Sequence, residues 1–227
     1  MPPDLLAAAA LIARKDLAIE FRTRSAFFSA VVFSLLSVAI FHFAWDPTAI
    51  PAADLAPGVL WVTFAFGGLL GLHRSFGVED ADGAMDALLA APIAREAIFL
   101  GKAGANLVFV LAVQAVAIPA VVLFYNVGGG AAWLPIVGIA ILSAIGLVAV
   151  GTLFSSVVAN TRLAELLLPL LALPFFVPIV TSAAQATAQL LAGRPFGDAV
   201  GWLKLLAAYD LVFVAACTWL YPHSLDS

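Results

Sequence analysis

The chain has 227 residues, 64% of them hydrophobic and 11% charged, with a formal net charge of -4 and a mean hydropathy of +1.11. Soluble domains carry roughly 25% charged and 45–50% apolar residues, so the composition excludes a soluble globular domain and points to an integral membrane protein, with nucleic acid not an expected partner. A single cysteine, Cys217, lies within an apolar run and excludes disulfide frameworks and cysteine-rich metal sites.

Residues 4–24 read as a helix. Leu5, Ile12 and Ile19 recur every seven residues and share a face, with Lys15 and Arg22 on another side. Glu20 and Arg24 form an i,i+4 pair. Such a helix is expected to lie along the bilayer interface with its basic residues toward anionic headgroups. No cleavable leader is evident, so the first span is expected to act as its own insertion signal. Residues 25–45 carry no charge and are long enough to cross a hydrocarbon core of about 30 Å. Asp46, Pro47 and Pro51 end that run. A second span is predicted over 54–76, with Gly67, Gly68 and Gly71 suited to close helix approach.

No charge occurs between Lys102 and Arg162. Asn126 and the glycines at 128–130 divide that run into spans at 103–125 and 133–157. A fifth span, 165–188, contains Pro169, Pro174 and Pro178 and is expected to be kinked or locally broken. A sixth covers 200–221, leaving 222–227 as a tail. The fold class is therefore all-α, one six-span membrane domain behind an N-terminal interfacial helix. With the N-terminus inside, the inner loops hold Arg14, Lys15, Arg22, Arg24, Arg74, Arg95, Lys102 and Arg162, against Arg194 and Lys204 outside. That bias predicts both termini in the cytoplasm.

The stretch 77–102 is the one sizeable charged segment after the N-terminus. Glu79, Asp80, Asp82 and Asp86 precede Leu88, Leu89 and Pro92. Asp82 is placed to cap a short amphipathic helix over 83–91, whose acidic start complements its dipole. Met85, Leu88 and Leu89 would then offer an apolar edge to a groove on a soluble partner. A merely solvated connecting loop is the alternative.

Arg74-x-Phe76, Glu79, Asp82-Gly83, Asp86-x-Leu88, Pro92 and Lys102 resemble the cytoplasmic loop of ABC-2-type exporter permeases. Together with Leu55-Ala56-Pro57-Gly58-Val59-Leu60-Trp61, Asn160-Thr161-Arg162 before Glu165, and Leu168-Pro169 with Pro174, the chain is similar along its length to the haem exporter protein B (CcmB) family. Asp86 stands where such permeases commonly carry Glu. The resemblance implies a non-catalytic permease subunit in the cell inner membrane, within the cytochrome c maturation system. It also implies that Glu79, Asp82, Gly83, Asp86, Leu88, Leu89 and Pro92 dock on a cytosolic ATP-binding cassette subunit. A haem-handling membrane subunit and a periplasmic haem chaperone are the other implied partners, and a homodimer is possible. Haem would be cargo rather than a firmly bound cofactor, and ATP would act only through the partner. The residues agree on one point: Gly101-Lys102 is followed by Ala103 and lacks the upstream Gly of a phosphate-binding loop.

The candidate haem contacts are His42, which could ligate haem iron or simply hydrogen-bond at the interface, together with Trp45 and Trp61. His73 reads as interface anchoring and His223 as solvated tail. Asp210, near the middle of the sixth span, costs about 2.5–3.5 kcal/mol at that depth and must face protein or a cavity. It is either a structural interhelix hydrogen bond or a group in gating or transfer, with Gln114 as possible partner. Lys204 lies about 240° around the same helix and is expected to snorkel outward. Three other readings stay open: a permease for another amphipathic substrate such as a drug or lipid, a scaffold that transmits ATPase motion without a conduit, and an intramembrane enzyme, for which Asp210 lacks a partner acid or His.

Overall fold

The computed structural model describes residues 4–82, 88, 90–128, 130–159, 161 and 163–224, the side chains of residues 73–82, 131 and 165 lying outside that description. Seven α-helices follow one another among the described residues: α1 Leu5–Thr23, α2 Ser25–Ala44, α3 Ala52–Asp82, α4 Arg95–Tyr125, α5 Trp133–Val158, α6 Ala164–Leu191 and α7 Phe196–Ser224. All but α1 are long and apolar enough to cross a membrane. Six crossings return the chain to the side on which it began.

Helix α1 docks on the first turns of α4. Its buried side is Ala8, Ala9 and Ile12, while Leu5 and Ile19 of the expected stripe are 38% and 37% exposed. Alanine is what makes that side fit. Gly101 lies so close that a Cβ there would meet the Ala9 carbonyl oxygen at 2.7 Å and the Ile12 Cβ at 2.7 Å. The outer side of α1 exposes Leu6, Leu11 and Phe21, as a helix lying at a bilayer interface does. The pair Glu20–Arg24 is not made. Arg24 is left-handed (φ 55°) and forms the one-residue joint to α2; Glu20 Oε1 instead accepts the Phe27 backbone N–H at 2.9 Å, capping α2.

Helices α3 and α5 form the centre. Helix α2 presents Ala26, Ala30, Ser34 and Val38 at i,i+4 spacing, a narrow small-residue strip packed on α3 and α4. A Cβ at Gly67 of α3 would lie 2.8 Å from Ser34 Oγ, one at Gly68 would lie 3.1 Å from Leu147, and one at Gly71 would enter the Phe109 ring. The three glycines thus do set the approach of α3 to its neighbours. Helix α3 does not end at residue 76, where the predicted second span does. It continues six residues further, to Asp82, or about 9 Å.

Helix α4 ends on Asn126, also left-handed (φ 50°). Helix α6 holds its three prolines without a break in helical assignment. A proline frees the carbonyl four residues earlier, here those of 165, 170 and 174; the Tyr209 hydroxyl of α7 donates to the next carbonyl along, that of Phe175, at 2.7 Å.

Candidate functional site

Two layers of the bundle carry its polar chemistry, one at each end, with a lone carboxyl between. In the layer beside the central charged stretch, Lys102 is fully buried, and its Nζ lies 3.5 Å from Asp16 Oδ2 of α1. Lys15 Nζ approaches the other oxygen at 3.0 Å. The sequence reading put Lys102 at the edge of a loop; the structure places it in the third turn of α4. Deeper still, Asn106 donates to Thr152 Oγ1 at 3.0 Å and Ser155 to the Leu72 carbonyl at 3.0 Å. Arg95 Nη1 reaches the Pro222 carbonyl of α7 at 3.2 Å, and the rings of Phe99 and Tyr221 are 5.3 Å apart. The base of α4 is thereby tied to both α1 and the end of α7.

The central stretch leaves and rejoins the bundle at this layer. Glu79 and Asp82 belong to the protruding end of α3, with their side chains outside the description. The Asp82-capped helix over 83–91 falls largely on Gly83, Asp86 and Leu89, which lie outside the described residues. Leu88 is half-buried against the core and Pro92 is exposed. Ile93 then packs on Ala8, Ala9 and Ala97.

At the opposite end, His42 is half-buried, ringed by Phe43, Trp45, Phe124 and Tyr125 at centroid distances of 5.5, 6.0, 5.4 and 5.6 Å. Its Nδ1 is buried without a hydrogen-bond partner among the described residues. Trp45 donates Nε1–H to the Ile50 carbonyl at 2.9 Å and so ties down the α2–α3 turn. In that turn the Thr48 hydroxyl and backbone N–H both donate to Asp46, holding its carboxyl below the usual range. Trp61 is not in this ring cluster. It is 1% exposed, and its indole N–H goes to Thr187 Oγ1 of α6 at 3.0 Å. Phe124 and Tyr125 escaped the sequence reading because nothing local marks aromatic residues at the end of one span as neighbours of a histidine at the end of another. The Trp61 bond gives a direct test. Trp61→Phe leaves the buried Thr187 hydroxyl without its donor and should cost about 1–2 kcal/mol, read as a lower thermal midpoint, partly regained in Trp61→Phe/Thr187→Val.

Between the layers, Asp210 of α7 is 5% exposed, with both carboxylate oxygens buried and without a hydrogen-bond partner among the described residues. It faces Gly146 of α5, where any Cβ would sit on the carboxylate. Gln114 is not its partner: Nε2 donates to the Ala140 carbonyl at 3.2 Å. Lys204 is exposed. No group of three or more His, Cys, Asp or Glu able to hold a metal occurs among the described residues.

This arrangement has a family. The CcmB protein family model matches residues 7–227, which takes in all of the helices described above but the first two residues of α1. The chain belongs to the CcmB family. Heme exporter protein B of Paracoccus denitrificans is 32% identical over 202 residues, covering 88% of this chain and 90% of that protein. The protein of the same name from Rhodobacter capsulatus is 31% identical over 177 residues, 78% of this chain and 80% of its own length. That of Pseudomonas aeruginosa is 25% identical over 202 residues. In this CcmB chain, then, the long α3, the central stretch and the α1–α4 platform all fall inside the matched region.

Proposed function

We propose that the chain is the permease subunit of a haem exporter ABC complex in the inner membrane. A cytosolic ATPase subunit docks on the central stretch, and its motion drives haem delivery to, or release of, a periplasmic haem chaperone in concert with a haem-handling membrane subunit. The observation that carries this reading is the geometry of the central stretch. Helix α3 runs about 9 Å beyond the predicted second span, and the chain returns through Leu88 and Ile93 onto a platform built from α1, α4 and the end of α7. A partner gripping that stretch in water pulls on a lever continuous with a central span. ATP hydrolysis belongs to the partner, since this chain lacks a phosphate-binding loop. The Lys/Arg bias supports cytoplasmic placement of that layer and of both termini. The aromatic cage around His42 is then at the periplasmic end, where with Trp45 it is the candidate surface for haem.

The test is co-purification of the solubilised complex with Gly83→Pro/Asp86→Lys, which leaves half-buried Leu88 in place. The ATPase subunit should fall at least about tenfold, a loss of roughly 1.4 kcal/mol or more, while elution and helical content are kept. Full retention of the ATPase would remove the central stretch as its contact.

A further inference from the structure

Asp210 lines a groove of about 680 Å³ along α7, its carboxylate oxygens covered, together with Glu96, Ile145, Ala207, Leu211 and Trp219. Asp210 is the middle residue of α7, about 21 Å from either end of the helix. A carboxyl buried at that depth without a hydrogen-bond partner among the described residues is costly to keep, and such groups face a protein neighbour or a cavity. Asp210 lies at such a cavity. We infer that the groove seats a transmembrane helix of another membrane subunit, one that carries a Lys or Arg side chain near mid-bilayer. The inference rests on the assembly proposed above and adds to it the place and chemistry of a membrane contact.

Depth, charge and shape all favour this occupant. Lipid donors sit at headgroup level, and acyl chains offer no donor, so lipid cannot satisfy Asp210 at the middle of the span. The groove holds a second carboxylate, Glu96, in the first turn of α4, so its occupant is basic rather than acidic. A two-fold contact with a second copy would set the same acidic strip against itself, which like charges oppose. The floor suits a helix: Ala207 and Ala215 lie two turns apart on one side of α7 and leave room for close backbone approach. Helix α7 is also the least buried of the six spans.

The experiment uses the intact complex in nanodiscs, with a photoreactive benzophenone residue in place of Leu211, which is 76% exposed in the groove, or of Leu170 on α6, which is 68% exposed. From Leu211 the crosslinked peptide should be a single apolar segment of another subunit with Lys or Arg near its middle; from Leu170 that peptide should be absent. Asp210→Asn keeps the side chain's shape and should lower the Leu211 crosslink about fivefold. Lipid adducts alone, a peptide of this same chain, a partner segment without a basic residue, or an unchanged yield in Asp210→Asn would each overturn the inference. The two readings fail separately. If the ATPase is never retained but the groove crosslink forms, the functional reading falls and the groove assignment stands; with the ATPase retained and no groove crosslink, the reverse holds.

Discussion

Gly101→Val is expected to lift α1 off α4. Its Cβ would lie 2.7 Å from a backbone carbonyl and 2.7 Å from the Cβ of Ile12, itself only 5% exposed. Neither atom is the free end of a flexible side chain, so the helix as a whole must move. Helix propensity works in the opposite direction by only a few tenths of a kcal/mol, since Val is a better helix former than Gly. Overpacking of about 1–3 kcal/mol wins, and the loss is compounded because Ala8, Ala9 and the Asp16–Lys102 ion pair depend on the same approach. A net loss of about 2–3 kcal/mol should appear as a lower melting midpoint. Trypsin cleavage at Arg14, Lys15 and Arg22 should accelerate, and Lys102 should become reactive toward an amine reagent. A wild-type cleavage rate would show that α1 is not held by this contact.

The second large effect is expected at Gly151 of α5, where a Cβ would run into the fully buried side chain of Leu72 on α3. Gly151→Ala gains about 1 kcal/mol of helix propensity but forces Leu72 to move with no room to do so. Next to it, Ser155 holds the Leu72 carbonyl, so the backbone cannot yield either. The net loss should be about 2 kcal/mol. Leu72→Ala alone should cost about 2–5 kcal/mol through the cavity it leaves. The double variant separates packing from unrelated damage, because the added methyl then fills part of that cavity. Its loss should fall short of the sum of the single losses by about 1 kcal/mol or more. Strict additivity would mean that the two side chains do not share this space.

The six spans are legible because an uncharged run of about twenty residues has few fates other than a membrane helix. Their ends are less so. The predicted second span stops at residue 76, but α3 does not, since a helix already nucleated continues through polar residues at little cost. The docking side of α1 is hidden for a different reason. Periodicity arguments look for large apolar residues, and the sequence offers Leu5 and Ile19; the contact is made by Ala8 and Ala9 because Gly101 admits nothing larger. Lys102 reads as a loop charge because its partner, Asp16, lies 86 residues away. Asp210 is conspicuous in the sequence for its depth alone, but that it has no hydrogen-bond partner among the described residues emerges only when Gln114 is seen to serve Ala140. Of the candidate haem contacts, His42 and Trp45 do meet, whereas Trp61 is engaged with Thr187.

The left-handed residue between α1 and α2 has a mechanical meaning. Helix α1 is clasped to α4, α2 is packed on α4, and Arg24 joins α1 to α2 without slack. Three stiff members fastened pairwise make a truss, which deforms only if a member breaks or a corner gives way. The Arg24 corner is braced by the Glu20 carboxylate on Phe27, and its torsion is already committed. A push delivered to the foot of α4 therefore tilts the first span as a solid piece instead of being absorbed in a bend.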